Sequence, residues 1–84
     1  MHVGTQLRKA RKDHGLTLKK LDSRLQYGPG NISNYENGNS NPQDPTLLRI
    51  LTHGLEMDKE EAMKTIALWR KEEFDAKYGK YLKN

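Results

Sequence analysis

The sequence predicts an all-α domain of about five helices, and two observations support this fold class. Apolar residues recur at steps of three and four, as Leu18, Leu21 and Leu25 do, and this spacing gives a helix one apolar face. Residues that favour helix ends bound these stretches, among them the N-cap residue Thr17 and the stop residue Gly54. At 84 residues, the chain has the length of one domain.

The first helix is predicted over residues 3–14, and Gly15 then supplies a residue that commonly ends helices. Arg11 lies next to the inward stripe of this helix. If its guanidinium is buried, it requires an anionic partner; the alternative is a solvated arginine. The inward stripe is formed by Val3, Leu7 and Ala10, with His14 at its margin, and the outward residues are Arg8, Lys9, Lys12 and Asp13.

Two short helices, predicted over residues 17–25 and 29–37, are the central feature of the chain. Pro29 suits the first position of the second of these helices. Ile32 is the only aliphatic residue there and must point inward, so the opposite face is short, polar and uncharged. Side-chain amides and hydroxyls of this kind suit base edges in a DNA major groove. The residues of that face are Gly30, Ser33, Asn34 and Asn37.

A fourth helix is predicted from the dipeptide Asp44-Pro45, with Asp44 as the N-cap and Pro45 at the first helical position. It is expected to run to about His53, where Gly54 stops it. Its apolar residues, together with one just beyond its end, are expected to close the core of the bundle. They are Leu47, Leu48, Ile50, Leu51 and Leu55.

A fifth helix opens at Asp58, which has the spacing of a capping box with Glu61. It is expected to run to about residue 77, because Gly79 weakens helix formation at the C-terminal end. Its first apolar stripe, at Ala62, Ile66 and Trp69, is expected to pack on the bundle. Aromatic residues further along exceed what so small a domain needs to bury, which leaves a dimer surface, folding back on the monomer, or a frayed tail over residues 80–84. The candidate dimer residues are Trp69, Phe74, Tyr78 and Tyr81.

The charge of the chain is unevenly distributed. The net charge is +4 and the isoelectric point is about 9.4. Residues 1–45 carry seven Lys and Arg against four Asp and Glu, a net +3, whereas residues 46–84 carry eight against seven, a net +1. The positive excess therefore accompanies the central helix pair, as a phosphate-facing module requires. An ordinary basic surface would give the same count.

The residues that most catalytic and metal sites require are absent or badly spaced. There is no cysteine, which excludes disulfides and thiolate metal sites and is compatible with a cytoplasmic protein. His2, His14 and His53 do not stand at metal-ligand spacing, and no Ser, His and Asp arrangement indicates nucleophilic catalysis. No apolar run is long enough for a signal peptide or a membrane span. We therefore expect no enzyme, no cofactor, no metal, no membrane partner and no small-molecule ligand.

The central stretch resembles the helix-turn-helix of the XRE family, the Cro and lambda-repressor type of regulator. The resemblance covers about residues 3–55. It departs from the family at Leu18, where Gln is common, at Asp22, where a small residue is common, and at Gln26, where Gly is common. The residues that carry it are Leu16-Thr17, Leu21, Leu25, Ile32-Ser33-x-Tyr35-Glu36-x-Gly38, Pro42 and Leu47-Leu48-x-Ile50-Leu51.

The resemblance implies a lambda-repressor-like bundle whose residues 1–56 form a DNA-binding helix-turn-helix domain. Residues 57–84 would then be an extended C-terminal helix and the dimerisation element. It also implies a sequence-specific transcriptional regulator, foremost a repressor that binds a palindromic operator in double-stranded DNA as a homodimer. In the family, the residues matching Arg11 and Glu36 commonly form a structural ion pair. Two other functions remain open: an antitoxin that binds DNA and a toxin protein, and a protein-interaction module without DNA.

The expected DNA contacts fall into two groups. Short side chains at the start of the third helix would read bases, while hydroxyl and lysine groups near it would position phosphates. In the loop after the third helix, backbone N–H and side-chain amide groups would also bind phosphates. A solvated face for the two lysines and an ordinary polar loop after the third helix are the alternatives. The base-reading residues are Gly30, Asn31, Ser33 and Asn34. The phosphate residues are Thr17, Lys19, Lys20, Asn37, Asn39, Ser40 and Asn41.

Overall fold

The computed structural model describes residues 2–82, with Leu82 described by its backbone alone. Within this range there are five helices and no strand, which confirms the all-α prediction. The fourth helix continues without a break as a π-helical segment, Ile50–Gly54. The helices are α1 (Val3–Asp13), α2 (Leu18–Leu25), α3 (Asn31–Glu36), α4 (Asp44–Arg49) and α5 (Lys59–Leu82).

The ends of α2 are set by local chemistry. Thr17 is the N-cap, as predicted, and its Oγ1 accepts a hydrogen bond from the Lys20 backbone N–H at 3.1 Å. After Leu25, Gln26 takes a left-handed conformation with φ +59°, the conformation for which a glycine is usually selected. The backbone N–H of Tyr27 then donates to the carbonyl of Asp22 at 2.9 Å. The chain thus leaves α2 through a tight turn.

The predicted start of α3 at Pro29 is wrong, because Pro29 and Gly30 precede the helix. Gly30 has φ +93°, which is outside the helical region and favours glycine, so the helix begins at Asn31. The backbone N–H of Ile32 donates to Oδ1 of Asp22 at 3.3 Å. Asp22 is buried, and this bond gives its carboxylate a partner that the sequence did not indicate. A side chain of α2 therefore fixes the start of α3.

The start of α4 lies one residue before the predicted one. Gln43, with ψ 164°, is the extended N-cap residue, so Asp44 and Pro45 both belong to the first helical turn. At the other end the helix includes Gly54 instead of stopping before it. A Cβ on Gly54 would lie 2.5 Å from Cδ1 of Leu21. This glycine therefore allows the π-helical segment to pack closely on α2.

The first helix packs against α3 through its backbone. A Cβ on Gly4 would lie 2.2 Å from the carbonyl oxygen of Tyr35 and 2.8 Å from that of Glu36, so no larger residue fits there. His14 is exposed, so its predicted place beside the inward stripe is wrong, and Gly4 and Gln6 are buried instead. The hydrophobic core comprises Val3, Leu7, Leu16, Leu21, Leu25, Ile32, Leu47, Ile50, Leu51, Leu55, Ala62, Ile66 and Trp69.

The last helix is longer than predicted and divides into a packed half and an exposed half. It continues through Gly79 to Leu82, and residues 83 and 84 of the expected frayed tail lie outside the described residues. Trp69 is only 7% exposed and belongs to the core, so its assignment to a free dimer surface is wrong. The aromatic residues beyond it do not fold back on the bundle. Their exposed fractions are 53% for Phe74, 40% for Tyr78 and 69% for Tyr81.

Among residues 2–82, none of the helices has both the length and the apolar character needed to cross a membrane.

Candidate nucleic-acid interface

The position of α3 is fixed by a buried ion pair. Arg11 Nε donates to Glu36 Oε2 at 2.7 Å, and Arg11 Nη2 donates to Glu36 Oε1 at 3.0 Å. Nη1 of the same guanidinium donates to the carbonyl of Leu16 at 2.7 Å. Arg11 and Glu36 are 8% and 3% exposed. This is the contact that the family resemblance implies, and it joins α1, the start of the α2 region and α3.

A second arginine, which the sequence placed among the outward residues, contacts the same end of α3. Arg8 Nε donates to Glu36 Oε1 at 3.2 Å, and Arg8 Nη2 donates to Asn37 Oδ1 at 2.6 Å. Nδ2 of Asn37 in turn donates to Oγ of Ser33 at 3.4 Å. The acceptor group of Asn37 is therefore occupied within the protein. No periodicity rule could indicate this contact, because the two residues are 29 positions apart.

The outward face of α3 presents one amide that is not used within the protein. Asn34 is exposed, and its side chain has no hydrogen-bond partner in the described part of the chain. Asn31 is also exposed, but its Nδ2 donates to the carbonyl of Gly28 at 3.0 Å. Ser33 is half-buried. Of the four predicted base-reading residues, Asn34 therefore has the side chain best placed to contact another molecule.

The first turn of α2 lies beside this face. Lys19 and Lys20 are exposed, and the turn contains no acidic residue. Because Thr17 Oγ1 accepts the Lys20 N–H, its own O–H remains able to donate to a phosphate oxygen. Lys19, Gly30 and Ser33 line one shared groove. The structure thus brings one predicted phosphate residue of α2, Lys19, next to two of the predicted base-reading residues, Gly30 and Ser33.

The loop after α3 is less available than predicted. The backbone N–H groups of Asn39 and Ser40 donate to the carbonyl of Asn34 at 3.0 and 3.3 Å, so the expectation that they bind phosphates is wrong. Only their exposed side chains remain for that role. Asn41 Oδ1 accepts from Arg70 Nη1 at 3.1 Å, and Arg70 Nε donates to Asp44 Oδ1 at 2.9 Å. Arg70, which the sequence did not single out, ties the loop to α5.

Comparison with known proteins agrees with this geometry. The family described as "Helix-turn-helix domain" matches residues 4–68, well over half of the chain. The chain belongs to the XRE-type helix-turn-helix family. The chain is also similar to the HTH-type transcriptional regulator ImmR of Bacillus subtilis (strain 168), with 38% identity over 50 residues that cover 60% of this chain. These residues cover 39% of ImmR, so the chain spans about two fifths of that relative's length. No solved structure gives a significant match.

For this helix-turn-helix protein, the match confirms the resemblance found in the sequence and extends it into α5, as far as residue 68. The exposed aromatic residues of α5 lie beyond the matched region. The rings of Phe74 and Tyr78 are in contact, with their centroids 4.9 Å apart. Within residues 2–82, no group of three or more His, Asp or Glu residues lies close enough together to hold a metal ion.

Proposed function

We propose that this protein is a transcriptional repressor that binds a palindromic DNA operator as a homodimer and thereby occludes a promoter. The observation that carries the proposal is the uncharged outward face of α3 beside the exposed lysines of α2. Family membership supports DNA binding by this pair of helices, because XRE-type proteins are DNA-binding regulators. A cytoplasmic location follows from this function.

The proposed role of α3 in reading bases requires a helix whose position is fixed. The Arg11–Glu36 pair fixes its C-terminal end, and the Asp22 carboxylate holds the Ile32 N–H at its start. A helix held at both ends presents Asn34 with little freedom to move, and its amide can pair with both N6 and N7 of adenine. Gly30 lets the start of the helix approach DNA closely, because it has no side chain and the space around it is open, with no protein atom within 4 Å of the position of a Cβ.

Asn34→Ala is expected to cost about 1–3 kcal/mol in binding free energy at one base pair of the operator and to relax the preference at that position. The physical reason is the loss of a bidentate amide–base contact. Binding titrations against the operator and against duplexes substituted at each position measure the effect. Equal weakening on operator and scrambled DNA would show that this side chain does not read bases.

Lys19→Ala is expected to weaken binding to all sequences alike and to reduce the salt dependence of log K by about one unit, because one phosphate contact is lost. Lys64→Ala is the matched control. Lys64 is an exposed lysine of α5 that lies 3.4 Å from Glu60, and its removal should leave the salt slope unchanged. A slope for Lys19→Ala that equals the wild-type slope would remove Lys19 from the phosphate contacts.

The homodimer is proposed from the exposed half of α5. Phe74, Tyr78 and Tyr81 are spaced at steps of four and three, so they form one stripe on the helix, called here the aromatic stripe. Large aromatic side chains dominate interface energetics, and each can bury about 150–250 Å². Two stripes that pack about a two-fold axis would align two helix-turn-helix units with the two halves of a palindrome.

The aromatic stripe also favours a second candidate, an antitoxin-type protein whose α5 binds a partner toxin. Co-purification of a second small protein with the chain would support this candidate. A gel shift on DNA fragments near its own gene, repeated at increasing salt, tests the DNA-binding part that both candidates share. If no fragment is shifted at low salt, the chain is a protein-interaction module instead.

A further inference from the structure

A groove separates α2 from α3 on the proposed DNA-binding surface. Part of its lining is apolar, because it includes the side chains of Leu18 and Pro29. Leu18 is half-buried and Pro29 is exposed. The Asp22 carboxylate also lines the groove, but it is buried and accepts a hydrogen bond from the Ile32 N–H. The groove is lined by Leu18, Lys19, Asp22, Ser23, Tyr27, Pro29, Gly30 and Ser33.

The surroundings of this groove indicate what can enter it. Lys19 lies on its α2 side and carries a positive charge, while Gly30 and Ser33 belong to the outward face of α3. Leu18 and Pro29 line the same groove, so a polyanion that contacts both Lys19 and the α3 face lies close to them. In the major groove of DNA, the apolar group that a base edge presents is the C5-methyl of thymine. The positive charge of Lys19 and the apolar side chains of Leu18 and Pro29 together favour a DNA base edge as the occupant of the groove.

We propose that Leu18 and Pro29 form an apolar pocket that receives the C5-methyl group of a thymine in each operator half-site. This inference rests on the proposed function, because it presupposes that α3 enters the major groove. It assigns specificity to two residues whose side chains have no hydrogen-bond donor or acceptor. The protein therefore reads bases in two ways: Asn34 by hydrogen bonding, and the Leu18–Pro29 pocket by apolar contact.

The test replaces single thymines by deoxyuridine, which lacks only the methyl group. An operator is first selected from random duplexes with the wild-type protein, and each thymine is then exchanged in turn. We expect at least one position per half-site where deoxyuridine weakens wild-type binding about fourfold, as the loss of one buried methyl group predicts. Leu18→Ala and Pro29→Ala should each bring that ratio close to one.

Lys19→Ala serves as the comparison, because it should lower affinity on every duplex while keeping the deoxyuridine ratio. Leu18 packs partly against the core, so its variant requires a melting curve. If Leu18→Ala is unfolded, Pro29→Ala alone tests the pocket. This variant should remain folded, because Pro29 is exposed and lies outside the helices. Wild-type binding that is insensitive to deoxyuridine at every position overturns the pocket, as does a ratio that survives in both variants. Failure to select any duplex instead overturns the proposed function.

Discussion

Glu36→Gln is expected to lower the free energy of unfolding by about 3–5 kcal/mol, the cost of leaving one partner of a buried ion pair without the other. Glu36 accepts two hydrogen bonds from Arg11, at 2.7 and 3.0 Å, and one from Arg8 at 3.2 Å. Glutamine has the same shape but no charge, and its NH₂ group would face N–H donors of an arginine. Urea or thermal unfolding monitored by circular dichroism measures the loss.

Arg8→Ala is the matched control for this prediction. The Arg8 side chain is 45% exposed, whereas that of Arg11 is 9% exposed, so solvent screens the Arg8 contact. Its removal should cost at most about 1 kcal/mol, as for an exposed ion pair. A Glu36→Gln protein that unfolds at the same urea concentration as the wild type would contradict a structural role for the buried pair.

Simultaneous substitution of the aromatic stripe, Phe74→Ser, Tyr78→Ser and Tyr81→Ser, is expected to give a folded monomer. The fold should persist because these side chains are exposed, while Ala62, Ile66 and Trp69 hold α5 on the core. Without the dimer, each half-site is bound separately, and affinity for the palindrome should fall by about 10²–10⁴-fold. Sedimentation measures the oligomeric state, and titration with palindromic and half-site duplexes measures the affinity.

Leu68→Ser is the control for the aromatic stripe. Leu68 is an apolar residue of the same helix with 54% exposure, but it lies on another side of α5. Its substitution should change neither the dimer nor the binding. Truncation after Glu61 is unsuitable as a test, because it removes three core residues together with the stripe. Weak association is typically detected at protein concentrations on the order of tens of micromolar. If the wild-type chain sediments as a monomer at such concentrations, the proposed dimer is contradicted.

The sequence by itself determined the features that depend on neighbours along the chain. Steps of three and four among apolar residues identified the helices and most of the core, because each helix turns once in about 3.6 residues. The hydroxyl of Thr17 was correctly predicted as a cap, since a cap contacts a backbone group only three positions away. The ordered set of turn and helix signals also sufficed to identify the family, which the match over residues 4–68 confirms.

The sequence predicted some features of the candidate site correctly and others incorrectly. The outward orientation of Asn34 was deduced from Ile32 alone, because opposite faces of one helix are fixed by its period. By contrast, the start of α3 was misplaced. The sequence shows that Pro29 can begin a helix, but the structure gives Gly30 a positive φ that ends the preceding turn instead. The backbone groups of the loop at residues 39 and 40 were misjudged because their acceptor lies back on α3.

Only the tertiary structure decided which residues meet across elements. Asp22 holds the start of α3, Arg8 shares Glu36 with Arg11, and Arg70 ties the loop before α4 to α5. Trp69 and Phe74 are both aromatic residues of one helix, yet one is 7% and the other 53% exposed. Helical periodicity indicates the direction in which a side chain points, but not whether another helix lies opposite to cover it. The packing of the other helices against α5 sets that boundary, and it leaves the aromatic stripe uncovered.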